Sequence, residues 1–359
     1  MKKLRIAQIA PPWIEVPPKK YGGTELIVSY LTEELIKKGH DVTLFASGTS
    51  KTQAKLVSAF PKALYWKGIS WADSYYSLFH ALTAFERAED FDIIHNHYGY
   101  FGLCFSHLVK TPMVTTYHGD FALAEKNFGK YKILKKLRHL PFVSISNSQR
   151  KFSSLKLNFV TTIYNGIDVE KFQFNAKPGK YLTWLGRITP KKGLLGAIKV
   201  AKKLNLPLKI AAKIDKNCSS DVEFYEKEIK PLIDGKKIIF LGEIEGYREK
   251  SNFLKNSLAL LNPITWNEPF GLVMIEAMAC GTPVIVFNQG SAKEVVEDGK
   301  TGFVVKNINE MVRAVKKIDR ISRKACRQRV EKHFTYQEMV SSYEKIYYKI
   351  LRIKKERKK

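Results

Sequence analysis

Five side chains in this sequence could do chemistry on an anionic, hydroxyl-rich ligand: Glu268, Glu276, Arg187, Lys192 and His118. Glu268 and Glu276 stand eight residues apart around a Pro-Phe-Gly corner in the stretch Trp266-Asn-Glu-Pro-Phe-Gly-Leu-Val-Met-Ile-Glu-Ala-Met-Ala-Cys-Gly-Thr-Pro-Val-Ile285. The stretch reads as loop, helix and strand. Leu272, Met274, Ile275, Met278 and Ala279 fit a helical stripe, Gly281 stops it, and residues 283–287 resume as a buried strand. Glu276 lies inside the helix and Glu268 ahead of it, so the two can grip different parts of one extended ligand. Gly271 lets backbone amides approach a phosphate, and the helix dipole adds about half a positive charge at that end. Arg187 and Lys192 lie in Tyr181-Leu-Thr-Trp-Leu-Gly-Arg-Ile-Thr-Pro-Lys-Lys-Gly193, at a strand–helix junction. Two permanent cations there would neutralise the diphosphate of a leaving nucleotide, and the arginine fork matches phosphate oxygens.

Short apolar runs alternating with amphipathic helices must position these groups. That rhythm predicts parallel sheets wrapped by helices. Residues 4–10 read as a first buried strand, and a proline-rich loop then closes on Gly22-Gly23 before a helix over about residues 24–38. Glycines at such a turn permit close backbone approach to a phosphate or sugar, although the pattern is not the dinucleotide fingerprint G-x-G-x-x-G. Further strands are expected at 39–46, 92–97, 112–118, 208–214 and 237–245, and an aromatic-rich helix within 66–88. His95 and His97 are expected to point to opposite faces of their strand and so to make a poor metal pair. His118 ends a buried strand, on the side of the sheet where ligands of such folds gather. No metal site is assigned. Residues 129–139 make a basic amphipathic helix, equally consistent with a solvated face and with contact to an anionic membrane or acidic acceptor. A last helix is expected over about 336–352, with Met339, Val340, Tyr343, Ile346, Tyr347 and Ile350 on one face, before a basic tail to Lys359.

At 359 residues, 45% of them hydrophobic, the chain has enough material for two cores, and the boundary is expected between Asn175 and Gly179. The formal charge of +27 favours anionic partners such as nucleotide phosphates, nucleic acid or an acidic membrane face. Cys104, Cys218, Cys280 and Cys326 show no pairing motif, so neither a disulfide framework nor a structural zinc is suggested, and a reducing cytoplasm fits. The first residues are too brief a run for a signal sequence.

The string Glu-Pro-Phe-Gly-Leu-Val-Met-Ile-Glu-Ala-Met-Ala-Cys-Gly-Thr-Pro-Val-Ile resembles the E-x7-E signature of retaining family 4 glycosyltransferases. Thr-Tyr-His118-Gly, the Gly22-Gly23 loop, Asn165-Gly-Ile-Asp168 and Gly186-Arg-Ile-Thr-Pro-Lys-Lys192-Gly resemble further elements of that family, although Lys191 stands where the family more often has an acid. The resemblance implies the GT-B arrangement: two Rossmann-like domains facing across a cleft, at 1–175 and 176–337, with a C-terminal helix over 338–359 returning towards the first. It implies transfer of a sugar from a UDP- or GDP-linked donor to a glycan, lipid-linked or small acceptor, with retention and without cofactor or metal. His118 and Glu268 would orient the sugar, Arg187 and Lys192 would stabilise the departing diphosphate, and Glu276 would hold the ribose. Gly22, Gly23, Ile244, Phe270, Gly271, Leu272 and Val273 would complete the donor site, with backbone near Ile244 meeting the base. A same-fold epimerase or phosphorylase, and more distantly a nucleic-acid-binding protein, are the alternatives. A cytoplasmic enzyme is expected, either free or peripheral at the inner membrane face.

Overall fold

The computed structural model describes residues 2–70 and 73–356. The chain divides into two units, one of residues 1–166 with the C-terminal helix from Tyr336, the other of residues 167–335. The first holds a seven-stranded parallel sheet: β1 Arg5–Ile9, β2 Asp41–Phe45, β3 Lys55–Val57, β4 Ile93–Asn96, β5 Met113–Thr116, β6 Phe142–Ser144 and β7 Phe159–Thr162. Their order is β3-β2-β1-β4-β5-β6-β7. The second holds six parallel strands, β8 Leu182–Arg187, β9 Leu208–Lys213, β10 Ile238–Phe240, β11 Ala259–Asn262, β12 Val284–Phe287 and β13 Gly302–Val305, in the order β10-β9-β8-β11-β12-β13. Both are doubly wound sheets, as the strand–helix alternation predicts. Each reverses its strand order once, between β1 and β4 and between β8 and β11, and ligands of such sheets gather beyond the strand ends there.

Near-continuous apolar strands follow from burial on both sheet faces. Ile6 and Ile9 of β1, Ile93 and Ile94 of β4, Leu182 and Trp184 of β8 and Leu260 and Leu261 of β11 are all almost wholly shielded from water. The C-terminal helix Tyr336–Glu356 turns the expected face inwards: Met339, Val340, Tyr343, Ile346, Tyr347 and Ile350 are buried. Its Tyr336 stacks on Tyr30 of the Gly23–Lys37 helix, and its Glu344 takes Lys38 and His40 as partners, each at 3.0 Å. The basic tail expected after this helix lies largely outside the described residues.

The division between the units comes at Gly166/Ile167, inside the Asn165-Gly-Ile-Asp168 turn and before the 175–179 stretch expected from composition. Residues 167–175, counted with the first domain in the sequence, are tied to the second unit. Arg327 donates to the carbonyls of Val169 and Phe172, Arg323 to that of Asn175, and the amide of Asn175 to the carbonyl of Cys280. The basic helix runs over Phe128–Lys136, with Leu134 buried and Phe128 75% exposed among its lysines. No helix among the described residues is long and apolar enough to cross a membrane. The four cysteines are free thiols.

Candidate active site

In the second unit the loops after β8 and β11 meet, because those two strands are neighbours at the point where the order reverses. The loop after β8 makes a single turn, Pro190–Lys192, and the amide of Thr265 donates to the carbonyl of Lys191. Gly193 holds the approach at its closest: a Cβ there would lie 1.9 Å from the carbonyl oxygen of Pro263. This contact brings Lys192 onto Glu268, with Nζ donating to Oε2 at 2.5 Å. Trp266 Nε1 donates to the same carboxylate oxygen at 3.1 Å, and the Lys192 ammonium sits 5.0 Å from the Trp266 ring centre. Glu268 is only 9% exposed. Its backbone is fixed as well, its carbonyl accepting from the Ser291 amide while Gly290 packs so tightly that a Cβ would fall 2.2 Å from that oxygen.

Gly271 adopts φ +81°, a left-handed conformation that opens the helix Leu272–Ala279 with no side-chain cap. The first-turn amides of such a helix point outwards without an intrahelical acceptor, and Leu272 and Val273, which carry two of them, are partly exposed. Phe270 lies differently from a ligand contact. Its side chain is 2% exposed and packs edge-on against Phe334, and its carbonyl accepts from Ser291 Oγ at 2.7 Å, so it anchors the loop. One and a half turns into the helix, Glu276 is buried and accepts from Lys250 Nζ at 2.8 Å.

Arg187 ends β8 and faces two buried acids, Asp215 at 3.4 Å from Nη1 and Asp221 at 3.6 Å from Nε. Burial, helped by the charge of Asp215 and opposed by Arg187, raises the Asp221 carboxyl above its usual range. Ile244 lies partly exposed in the loop after β10, two strands away from β8. Asp215, Asp221, Lys250 and Trp266 are therefore part of the constellation and were not expected from the sequence. Among the described residues no three His, Cys, Asp or Glu side chains could hold a metal ion. The chain does contain one aspartate-x-aspartate, Asp90-Phe91-Asp92, but it precedes β4 at the opposite strand end. Asp90 is paired with Arg87 and Asp92 with Arg5.

The first unit places His118 just beyond β5, where the ring is half-buried. His95 and His97 correct the expectation of opposite faces. Side chains alternate with a period of two along a strand, so residues two apart share a face, and their ring centres lie 3.8 Å apart. His97 also stacks on His118 at 5.3 Å. Burial holds the His118 imidazole down to about 4, and burial reinforced by the neighbouring rings holds His95 and His97 well below the ordinary histidine range. All three are neutral at pH 7. On the other side of the reversal, Gly22 (φ +152°) caps the Gly23–Lys37 helix, and a Cβ there would meet Pro18 at 2.8 Å. Glu25 in the first turn is buried.

Two family models match, "Glycosyltransferase Family 4" over residues 21–171 and "Glycosyl transferases group 1" over residues 167–333, and their junction coincides with the division between the units. The α-maltose-1-phosphate synthase of Mycolicibacterium smegmatis is 25% identical over 330 residues, covering 81% of this chain and 82% of its own. The sucrose-phosphate synthase of Thermosynechococcus elongatus shares the fold with a TM-score of 0.82 at 20% identity, over 98% of this chain and 100% of its own. HepE of Anabaena, solved with UDP-glucose, does so with a TM-score of 0.73 at 17% identity, over 96% and 99% of the two chains. Two parallel-sheet units, the E-x7-E stretch laid along a helix mouth, and family models that together span most of the sequence lead to one conclusion: this chain belongs to the family 4 glycosyltransferases and has the GT-B fold.

Proposed function

We propose that this glycosyltransferase moves a hexose from a UDP- or GDP-linked donor to an acceptor hydroxyl, with retention of configuration and without a divalent metal. The observation that carries the reading is the Lys192–Glu268 pair packed beside the uncapped Gly271 helix mouth at the strand reversal of the second unit, with Arg187 at the end of β8. Arg187, Lys192 and the Leu272 and Val273 amides take the diphosphate, whose charge grows as the glycosidic bond breaks. Glu268 receives hydroxyls of the sugar, and Glu276 those of the ribose. Backbone near Ile244 meets the base. His118 offers a neutral imidazole to a sugar hydroxyl, and Gly22 and Gly23 keep the backbone there free of side chains.

Lys192 and Glu268 hold one another. Donor binding is then an exchange of partners, the ammonium turning to phosphate and the carboxylate to hydroxyls. HepE with UDP-glucose supports a nucleotide-sugar donor, and membership of the family supports a role in making glycans or glycoconjugates. The lysine-flanked, exposed Phe128 supports peripheral contact with an anionic membrane through the Phe128–Lys136 helix.

Thermal stabilisation across a panel of nucleotide sugars tests the donor. A ligand at a hundred times its Kd adds about 2.7 kcal/mol, and a panel in which no nucleotide sugar raises the Tm overturns the reading. Transfer followed by NMR of the new anomeric centre tests retention. Loss of turnover under chelator, restored only by a divalent ion, removes metal independence.

A further inference from the structure

Seven polar side chains of the first unit form one unbroken chain of hydrogen bonds. His118 Nε2 and His97 Nδ1 are 3.0 Å apart, and His97 Nε2 lies 3.0 Å from Gln8 Oε1. Gln8 Nε2 donates to the hydroxyl of Tyr347 at 3.1 Å, and that hydroxyl lies 2.6 Å from His95 Nδ1. His95 Nε2 reaches Thr116 Oγ1 at 2.8 Å, which in turn meets the hydroxyl of Tyr343 at 3.1 Å. All but His118 are buried, at 4% exposure or less. The chain runs from two tyrosines of the C-terminal helix, through β1 and β4, to the histidine beyond β5.

Its polarity follows from one amide. Gln8 donates through Nε2, so its Oε1 faces His97 as an acceptor, and His97 Nε2 must carry the hydrogen. A neutral imidazole carries only one. His97 Nδ1 is therefore a lone pair, and His118 must donate to it from Nε2–H. At the other end the Tyr347 hydroxyl, accepting from Gln8, gives its own hydrogen to His95 Nδ1, and His95 Nε2–H passes to Thr116. Every link has one donor and one acceptor, and burial keeps the three rings neutral. Among the described residues His118 Nδ1 has no protein partner.

We propose that Gln8 and His97, anchored by Tyr347, are positioning residues that lock His118 in its Nε2–H tautomer and present its Nδ1 lone pair as a hydrogen-bond acceptor. An acceptor selects a hydroxyl and repels a phosphate oxygen, so this site takes the sugar and not the diphosphate of a donor. The selection rests on the reading of His118 as a donor contact given above. The tautomer does not. Were the Gln8 amide turned over, every bond in the chain would reverse and His118 Nδ1–H would become a donor.

The experiment is long-range proton–nitrogen correlation on the full-length protein with 15N-labelled histidine at pH 7.5, without ligand, alongside transfer kinetics. The expected pattern is Nε2–H for both His97 and His118, with His118 losing its single tautomer in Gln8→Leu and in Tyr347→Phe, which removes one hydroxyl and keeps the ring. The kcat of both variants should fall about 10- to 100-fold through misplacement of the contact, with the donor KM changed far less. His97→Asn, whose amide oxygen can replace Nδ1, should recover most of what His97→Phe loses. An Nδ1–H tautomer at His118 in the wild type, or a tautomer indifferent to both Gln8→Leu and Tyr347→Phe, overturns the proposal. Unchanged transfer in His118→Ala removes the sugar contact itself, and leaves the tautomer to be judged by the spectra alone.

Discussion

Acid should unfold the first unit before the second. Of the eight histidines only His333 belongs to the second unit, where it is exposed. In the first, His80 is 1% exposed, with Nε2–H donating to the carbonyl of Ala10 at 2.8 Å, and burial lowers it from 6.5 to about 4. His118 falls to about 4 as well, and His95 and His97 are displaced in the same direction. A histidine depressed in the folded state leaves stability intact above its unfolded value of 6.5. As pH falls below that, the unfolded chain binds protons that the folded one refuses, and stability drains until the folded group titrates near 4. At about 1.4 kcal/mol per pH unit below 6.5, His80 alone costs about 2 kcal/mol by pH 5. His118, half-buried, adds somewhat less, and His95 and His97 add to both. These losses take a sizeable part of the 5–15 kcal/mol that holds a typical domain together. The carboxylates that pairing stabilises, Asp92 and Glu344, lie below the usual acid range and so add their own loss only at lower pH. Hydrogen exchange read by mass spectrometry between pH 7.5 and 4.5, normalised to intrinsic rates, separates the units. Peptides over β1, β4 and β5 should lose protection near pH 5 while those over β8, β11 and β12 keep it. Equal protection in both units down to pH 4.5, or earlier loss in the second, would refute the reasoning.

The donor side yields sharper tests. Arg187→Ala and Lys192→Ala should each lower kcat by about 10²–10³ with melting temperatures near wild type, and a loss confined to KM would move the diphosphate elsewhere. Glu276→Gln should weaken nucleotide binding by about 10- to 100-fold, the value of one or two hydrogen bonds to a charged group, in calorimetry with the free nucleoside diphosphate; unchanged affinity would displace the ribose contact. Gly290→Ala combines φ +54° with a Cβ 2.2 Å from the Glu268 carbonyl oxygen, so a drop in stability of about 2–4 kcal/mol by chemical denaturation is expected, and a neutral result would mean that the loop carrying Glu268 yields easily.

What could be read from the sequence was what is local in it. The E-x7-E stretch carries its corner, its helix start and both acids within twenty residues, so types and spacing alone were enough to place the helix and to single the loop out as a candidate. The partners of those acids could not be read. Lys250 reaches Glu276 from 26 residues away, Asp215 reaches Arg187 from 28, and Gln8 reaches Tyr347 from 339. Only the tertiary fold brings them together, and no periodicity encodes it. Phe270, which the family resemblance put in the donor site, has its side chain buried against Phe334, a contact that nothing in its own stretch announces. The histidine pair was misjudged in phase rather than in principle, since their spacing of two already required a shared face.

Once those partners are seen, the chain's large positive charge ceases to explain the proposed donor site. The constellation in the second unit sets three cations, Arg187, Lys192 and Lys250, against four carboxylates, Asp215, Asp221, Glu268 and Glu276. Bare charge at such a place would bind any polyanion. Cations already engaged can be drawn away only by a ligand that also supplies hydroxyls to the carboxylates they leave, because an acid stripped of its partner in a partly buried site costs several kcal/mol. A free phosphate or a nucleic-acid backbone offers the anion without those hydroxyls. On the proposed reading a nucleotide sugar offers both, phosphate for Lys192 and Arg187 and hydroxyls for Glu268 and Glu276, so the pairing itself would select the donor class.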